Sequence, residues 1–523
     1  MMARAAWLVP LLFGLLSIML GQDTNWDLQN YHLYNPHALL TGRIGFDMAP
    51  GQWQGYFNPT IDIPYYLMVM NLPGWLCCFL MGALHGLNFP LLQAIARRIL
   101  AVDKSSGMPF WLATAGVVTP AFLSELGNTM GDNLTALFVL AAILVVLQAR
   151  GMGMLLLAGA IMGFGTGLKL TNANYALALC LALFAREGTW GQRFRDAFIF
   201  GLAVLGGIAL SAGHWYWTMW QQFGNPLFPQ FNDRFLSPMA APIGIGDTGW
   251  LPKTVVEKLA WPFIFTLDPR RICELPLRNL MWPLLYTTGI VLLLALATGK
   301  RRLAALPRPA WLLLVFGAVS YLLWLNLFSI YRYLVPLELL SPLMCWLVVG
   351  VLLPGRRMIA TACIAVCAVS ILSLASWGRA GHGRAFTVEP PPIANPAQSL
   401  VYIVQAPNGW IVPFFPREVA FVSLGAGFPE SEGWKQRAEA MRHARTGPFY
   451  VVLDADRADP RLQRSKAELA DAARRNEEAI GRAASTLERY GLAVAGDCRP
   501  FKAMIGNYRL HQQLCEVKEK IPR

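Results

Sequence analysis

The chain of 523 residues is too apolar for a soluble protein, because hydrophobic residues make up 55% of it and charged residues only 14%. Soluble domains average about 25% charged residues. This composition excludes a soluble enzyme, a disordered scaffold and a disulfide-packed secreted module. The net charge of +13 does not indicate nucleic-acid binding, because Lys and Arg collect in the cytoplasmic loops of membrane proteins.

Apolar runs separated by short polar turns predict an α-helical membrane protein with about 11 transmembrane helices, over residues 1–377. The amphipathic stretch 88–101 is expected to lie along the cytoplasmic surface or to form a further span. No A-x-A pattern follows the first run, so we expect an uncleaved span rather than a signal peptide. The runs lie at 7–21, 63–85, 108–124, 130–149, 152–168, 171–186, 197–216, 282–298, 310–328, 333–353 and 357–377.

Basic residues gather in four short connections between these runs, which predicts their cytoplasmic side. The N-terminus is then cytoplasmic, and loops 22–62 and 217–281 lie on the outer, periplasmic face of what we expect to be a bacterial inner membrane. The basic residues are Arg97, Arg98 and Lys104; Arg186, Arg193 and Arg195; Lys300, Arg301, Arg302 and Arg308; and Arg356 and Arg357.

The last part of the chain changes character and predicts a small extracytoplasmic α/β domain at 399–523, after a proline-rich linker at 378–398. Short β-type runs occur at 399–405, 419–425 and 449–455, followed by a charged helical stretch at 466–491 and a strand-like end, NYRLHQQLCEV. Cys498 and Cys515 flank the last strands. An oxidising compartment would permit a disulfide between them, and two free thiols are the alternative.

The first outer loop, 22–62, contains charged groups among many aromatic and amide side chains. If 26–40 is a helix, Asp27, Asn30, Tyr31 and Tyr34 share one of its faces. An interfacial aromatic belt explains the aromatic residues but not a carboxylate at the start of the helix. His32 lies off that face, so Asp27 and His32 would be a poor pair of metal ligands. The other charged residues of the loop are Arg43, Asp47 and Asp62.

Two cations lie at predicted outer ends of spans. Lys169 follows a glycine-rich run, where it either contacts a ligand or extends its ammonium group to the membrane surface. Arg332, between Tyr331 and Tyr333, suits recognition of a phosphate. Asp132 is either a helix-start residue or a site residue. The long loop 217–281 is expected to form an ordered lid, with Arg270 and Arg271 as candidate headgroup contacts.

These motifs resemble those of the C-type (GT-C) glycosyltransferase superfamily, integral-membrane enzymes that take sugar from a polyprenyl-phosphate carrier. Bacterial protein mannosyltransferases and aminoarabinose transferases are members. The resemblance rests on WDLQNYHLYNPHALL in the first outer loop, YRYLVP before a late span, and an outer domain after the last span. GDNLTALFVLAA and GLKLTNANYA are also similar to segments of such enzymes. It covers residues 1–377.

The resemblance implies that a hexose or pentose passes from a polyprenyl-phosphate donor to an acceptor hydroxyl on the periplasmic side. Arg332 and Lys169 would bind the donor phosphate, and Asp27 would be the general base. The acceptor would be a lipid, glycan or protein of the cell envelope. No cofactor motif is present, and some relatives use a divalent cation. Further expected substrate contacts are Tyr31, His32, Arg43, Asp47, Asp62, Asp132 and Tyr331.

Two other classes of membrane protein share part of this pattern. A polymerase or ligase of polyprenyl-linked oligosaccharides would also have a large outer loop late in the chain, as 217–281 is, but usually lacks an acidic first loop. A lipid or sugar transporter would also need a charged cavity on the outer face. Transporters usually show internal repeats with broken helices at the bilayer midplane, and no clear repeat occurs here.

Overall fold

A computed structural model describes residues 6–103, 105–298, 306–353, 355, 357–425, 427, 429–454, 466–496 and 498–520. The predicted topology residues Lys104, Lys300, Arg301, Arg302 and Arg356 lie outside the described residues. The chain forms two compact units. One comprises the described residues of Met1–Leu20, Cys78–His214 and Asp247–Trp377, and the other those of Gly21–Cys77, Trp215–Gly246 and Gly378–Arg523.

Helices dominate the first three quarters of the chain and strands its last quarter. The α-helices are α1 Val9–Leu20, α2 Tyr34–Thr41, α3 Ile63–Asn71, α4 Gly74–Gly86, α5 Asn88–Leu100, α6 Met108–Val117, α7 Pro120–Ser124, α8 Asp132–Gln148, α9 Met152–Leu168, α10 Ala173–Ala182, α11 Trp190–Phe223, α12 Asn232–Phe235, α13 Val255–Leu267, α14 Met281–Ala297, α15 Arg308–Leu327, α16 Val335–Leu352, α17 Arg357–Ala368, α18 Glu432–His443 and α19 Lys466–Arg489. The strands are β1 Gln22–Asp23, β2 Arg379–Ala380, β3 Phe386–Glu389, β4 Leu400–Ile403, β5 Ala420–Ser423, β6 Phe449–Asp454, β7 Leu492–Val494, β8 Arg499–Ile505 and β9 Tyr508–Glu519.

Many helices of the first three quarters have the apolar composition of membrane spans. Four are long and apolar enough to cross a membrane: Gly74–Leu100, Trp190–Phe223, Arg308–Leu327 and Tyr331–Leu352. Seven shorter apolar helices of 10–17 residues accompany them in the described part of the chain. Together they overlap the eleven apolar runs of the sequence, although the run 63–85 is divided between α3 and the helix Gly74–Leu100. The predicted fold class, a polytopic helical membrane protein with a C-terminal α/β domain, is confirmed.

Of the two expectations for 88–101, the structure favours a further span, because these residues lie in an apolar helix that is long enough to cross a membrane. The helix that begins at Ile63 ends at Asn71, before Pro73, and a new apolar helix runs over Gly74–Leu100. The apolar side of α5 is buried in the core of the helical unit, with Ile95 and Ile99 at most 2% exposed. The amphipathic pattern therefore marks one face packed on other helices, which periodicity alone does not distinguish from a surface helix.

Small residues let two helices of the first unit approach closely. A Cβ atom at Gly163 of α9 would lie 2.0 Å from the carbonyl oxygen of Val204 in α11, and one at Gly207 of α11 would lie 2.3 Å from that of Ala160. Such stripes of small residues are typical of helix contacts in membranes, where packing replaces the hydrophobic effect as the driving force. Close packing here holds α9, whose C-terminal end leads directly into Lys169.

The second unit contains a seven-stranded sheet with the order β3–β8–β9–β6–β4–β5, in which β7 pairs with β9. Strand β4 runs parallel to β5 and β6, and the other pairs are antiparallel. The three β-type runs predicted from sequence form β4, β5 and β6. The predicted linker 378–398 instead supplies β3, which pairs with β8, so the prolines at 390–392 end a strand rather than fill a spacer.

The first outer loop belongs to this second unit and not to the helical unit in which the sequence placed it. The amide of Met48 donates to Phe421 (2.8 Å), and the amide of Ser423 donates back to Met48 (2.8 Å). These bonds cover the edge strand β5, whose backbone groups would otherwise lack partners. The loop is thus folded onto the C-terminal sheet.

The predicted lid, 217–281, divides between the two units. In the second unit, the indole of Trp215 donates to the carbonyl oxygen of Tyr56 (2.9 Å), and the rings of Tyr56, Phe223 and Phe228 pack together. Its later part, from Asp247, lies in the helical unit. There Arg271 forms an ion pair with Glu257 (3.0 Å).

Candidate functional site

The ion pair between Lys169 and Asp132 forms the first part of the site, which lies in the helical unit. The Lys169 ammonium is 2.7 Å from Oδ2 of Asp132 and donates to the carbonyl oxygen of Met130 at 2.7 Å. Asp132 is the first residue of α8, after Gly131 in the left-handed conformation (φ 85°), where a carboxylate is favoured by the helix dipole. Both expectations for Asp132, a helix start and a site residue, are compatible with this placement.

Arg332 contacts the same two residues as Lys169, namely Met130 and Tyr333. It is part of the short turn Tyr331–Leu334 that leads into α16, and the amide of Tyr331 anchors this turn by donating to Ile272 (2.8 Å). The Arg332 guanidinium contacts Sδ of Met130 at 3.8 Å and lies 5.5 Å from the Tyr333 ring. The Lys169 ammonium lies 5.4 Å from the same ring. The two cations therefore converge on Met130 and Tyr333.

Glu125, a carboxylate to which sequence reasoning gave no role, belongs to this group. It lies between α7 and α8, is fully buried, and neither of its carboxylate oxygens has a hydrogen-bond partner of ordinary geometry among the described residues. Burial raises the pKa of Glu125 well above its usual value; Asp132 raises it further, while Lys169 and Arg332 lower it. The signal in the sequence is a charged residue close to the end of an apolar run.

Tyr331 has a supporting position. Its side chain is 1% exposed, and its hydroxyl donates to Oε1 of Glu338 at 3.3 Å. The same oxygen accepts a hydrogen bond from the amide side chain of Asn279 at 2.7 Å. These contacts hold the turn that carries Arg332. Tyr331 is thus a buried side chain that supports the position of Arg332.

Asp27 and His32 lie in the second unit, at the two ends of one helical turn. Asp27 is half-buried and precedes the π-helical turn Leu28–His32. Nδ1 of His32 lies 2.8 Å from Oδ1 of Asp62, and both side chains are 6% exposed. Nε2 of His32 is buried and has no hydrogen-bond partner among the described residues. The ring of Tyr31 lies 4.1 Å from the imidazole ring.

Arg43 and Asp47 are engaged with each other and with the sheet. Nε and Nη2 of Arg43 donate to the two carboxylate oxygens of Asp47 at 2.6 and 2.7 Å. The guanidinium also donates to the carbonyl oxygens of Arg417 (2.8 Å) and Val419 (2.6 Å). Asp47 accepts a hydrogen bond from the amide of Phe421 at 2.9 Å. The structure thus gives this pair a role in holding the outer loop.

The structure also bears on the cysteines and on metal binding. Cys498 and Cys515 form a disulfide that links the segment before β8 to β9. Among the described residues, no group of three or more His, Cys, Asp or Glu side chains is arranged to hold a metal ion.

Comparison with known proteins finds similarity among solved structures. No protein-family model matches the sequence, and no curated protein matches it. The chain is similar to the crystal structure of ArnT from Cupriavidus metallidurans bound to undecaprenyl phosphate, with 98% of this chain and 97% of that chain covered, 11% identity and a TM-score of 0.49.

Proposed function

We propose that the protein is a membrane glycosyltransferase that moves a sugar from a polyprenyl-phosphate donor to an acceptor hydroxyl on the periplasmic side. The observation that carries this proposal is the convergence of Lys169 and Arg332 on Met130 and Tyr333. Cations at the ends of apolar helices match a ligand that has a phosphate head and a hydrocarbon chain.

The two cations differ in what they offer a phosphate. Arg332 presents a planar guanidinium that can bind two phosphate oxygens at once, whereas Lys169 acts as a point charge. Asp132 holds the ammonium of Lys169 by an ion pair of 2.7 Å. Both cations are only partly buried, so a phosphate can reach them.

We assign the chemistry of transfer to Asp27. Its carboxylate takes the proton of the acceptor hydroxyl while that oxygen attacks the anomeric carbon, and the bond between that carbon and the phosphate oxygen breaks. Arg332 and Lys169 stabilise the charge of the departing phosphate. In-line attack opposite the phosphate inverts the anomeric centre. His32, Asp62 and Tyr31 are proposed to contact substrate beside Asp27. A divalent cation is compatible with this scheme but is not required by it.

Arg332→Ala tests the phosphate site. Hydrogen bonds to charged groups contribute about 1.5–3 kcal/mol, so the donor concentration for half-maximal transfer should rise about 10- to 150-fold. Arg308→Ala, an exposed arginine at the start of α15, is the matched control and should leave it unchanged. The donor concentration for half-maximal transfer is measured for both variants with purified protein in detergent. The binding of undecaprenyl phosphate is measured in parallel. If the donor concentration for half-maximal transfer is unchanged in Arg332→Ala, this arginine does not bind the phosphate and serves only to orient its helix in the membrane.

Asp27→Asn tests the assignment of the base. Loss of a general base costs typically about 10²- to 10⁴-fold in rate, while binding of undecaprenyl phosphate should be retained. Transfer at the wild-type rate would remove Asp27 from the chemistry.

The class of donor is tested by mass spectrometry of lipid extracts from cells that lack the protein. A polyprenyl monophosphate that carries one sugar should accumulate, and its mass identifies the sugar class. The same lipid should accumulate in cells rescued with Asp27→Asn and not in cells rescued with wild type. Accumulation of polyprenyl diphosphate oligosaccharides would instead favour a polymerase or ligase. Unchanged lipids would favour a transporter.

A further inference from the structure

Glu125 is a buried acid at a site that we propose binds an anion. It is 0% exposed, and the backbone amide of Asn133 is the one hydrogen-bonding group that lowers its pKa; neither carboxylate oxygen has a partner of ordinary geometry among the described residues. Lys169 and Arg332, the proposed phosphate ligands, and Asp132 all act on it electrostatically. An ionised carboxylate that is fully buried with so few hydrogen bonds is costly, and such a group takes up a proton more readily.

The charges of these four groups indicate which form of Glu125 suits a phosphate. Lys169 and Arg332 together carry two positive charges. If Glu125 and Asp132 were both ionised, they would cancel those charges, and an arriving phosphate would meet no net attraction. With Glu125 neutral, the four groups retain one net positive charge, and the carboxyl O–H becomes a hydrogen-bond donor.

We infer that Glu125 is the proton-donating acid of the phosphate site, bound to the donor phosphate as a neutral carboxyl group and giving up its proton as that phosphate departs. This inference rests on the proposed function. It adds a general acid on the leaving-group side to the base on the acceptor side, and the cations Lys169 and Arg332 then stabilise both the phosphate and the carboxylate that remains.

The proposed step balances in atoms and charge. The acceptor oxygen forms a bond to the anomeric carbon, and the bond from that carbon to the phosphate oxygen breaks. The acceptor proton passes to the Asp27 carboxylate, and the Glu125 proton passes to the released polyprenyl phosphate. Asp27 then loses its proton to solvent and Glu125 regains one, so no further reactant is consumed.

Other charged or titratable groups face Glu125 and its loop. Asp132, Lys169 and Arg332 act on Glu125 directly, and Cys273 interacts with it from the segment after α13. Burial raises the pKa of the Cys273 thiol to about 12, so this group stays neutral near pH 7. Nδ1 of His85 accepts from the amide of Gly127 at 3.1 Å, and Glu338 accepts from that of Ala121 at 3.4 Å.

The pH dependence follows from the raised pKa of Glu125. Below that pKa the carboxyl group is neutral and favours the phosphate, and as pH rises through it the group ionises and repels the ligand. Affinity for a phosphate lipid is therefore present at low pH and lost at high pH. The phosphate of the lipid titrates too, so the comparison must be made with a variant in which only Glu125 is changed.

Glu125→Gln is that variant, because glutamine keeps the shape and a hydrogen-bond donor but carries no proton to give. We would measure the dissociation constant of undecaprenyl phosphate in detergent from pH 5.5 to 8.5 for wild type, Glu125→Gln and Arg332→Ala. The ratio of the wild-type to the Glu125→Gln dissociation constant should rise with pH, by up to about tenfold per pH unit, because only the wild-type carboxyl group loses its proton. The single-turnover rate of transfer should fall about 10²- to 10⁴-fold in Glu125→Gln.

Three outcomes would overturn the inference. Parallel pH profiles of wild type and Glu125→Gln would show that Glu125 does not titrate against the phosphate. If added Mg²⁺ or Mn²⁺ raises the affinity of the wild type but not that of Glu125→Gln, a metal ion bound at an ionised Glu125 neutralises the charge of the site. If neither the wild type nor Arg332→Ala binds undecaprenyl phosphate at any pH, the proposed function itself is overturned. This outcome is distinguishable from the first two, in which the wild type does bind.

Discussion

Arg43→Ala should loosen the contact between the first outer loop and the C-terminal sheet. Arg43 makes two hydrogen bonds to Asp47 and one each to the carbonyl oxygens of Arg417 and Val419. Both members of the pair are 5% exposed. The alanine variant leaves the Asp47 carboxylate buried without its cation and removes the donors of two carbonyl groups.

The expected loss is large because one partner of a buried pair is removed. Breaking such a pair costs about 3–5 kcal/mol, although the intact pair itself contributes little net stability. Burial already raises the pKa of Asp47 despite Arg43, so in Arg43→Ala the carboxyl group should take up a proton more readily. A raised pKa in the folded state gives stability that is present at low pH and lost as pH rises. The defect should therefore be smaller at pH 5 than at pH 8.

Hydrogen–deuterium exchange of the full protein in detergent measures this effect at the contact itself. The amides of Met48 and Phe421 are hydrogen-bonded across it, so peptides containing them report its opening. A loss of about 3–5 kcal/mol corresponds to exchange faster by about a hundredfold to several thousandfold, since each 1.4 kcal/mol is a factor of ten. The double variant Arg43→Met/Asp47→Asn should be less affected than Arg43→Ala. Unchanged exchange in both peptides of Arg43→Ala, as in the exposed control Arg509→Ala, would refute this account.

Three further predictions concern the second unit. Gly409→Ala places a Cβ 2.1 Å from the carbonyl oxygen of Asn30, and since such overpacking costs about 1–3 kcal/mol, proteolysis within 28–57 should accelerate; Gly481→Ala, which meets no atom within 4 Å, is the control. Cys498→Ser opens a loop of 17 residues, and the resulting loss of about 3 kcal/mol of stability should lower the melting temperature of the oxidised protein. Reduction should then lower the melting temperature of the wild type but not that of Cys498→Ser. An equal decrease in both proteins upon reduction would contradict this prediction. Burial, with Arg43 and Arg417, lowers the pKa of His37 to about 4. The contribution of neutral His37 to stability is therefore present above about pH 6.5 and is lost as pH falls toward 4. His37→Gln should make the rate of proteolysis less dependent on pH in that range.

The apolar runs made the helical part of the fold predictable, because the length of a membrane span and its lack of charge are properties of a local segment. The β-type runs that form β4, β5 and β6 were equally local. Strand β3 was missed because prolines follow it closely. The association of Met48 with Phe421 was beyond prediction, since nothing in either segment indicates pairing with a residue more than 370 positions away.

The candidate site was predictable in part for a similar reason. Lys169, Arg332 and Asp132 are charged residues at the ends of apolar runs, and the cost of placing charge near a membrane makes each one conspicuous. Glu125 carries the same signal, but its importance depends on burial beside two cations, which the sequence does not show. Arg43 and Asp47, which we predicted as substrate contacts, bind each other in the structure, and their sequence alone does not show this pairing.

The hydrogen bonds that close the first outer loop onto the sheet join residues 374 and 376 positions apart. At about 5–20 residues per second, a ribosome needs roughly 20–75 seconds to make that much chain after Arg43 has been added. Throughout this time the segment that carries Asp27 has been translated but its covering sheet has not. A nascent chain interrupted anywhere before β5 therefore holds the proposed base on a loop that lacks its sheet, and the second unit is completed only after that sheet has been synthesised.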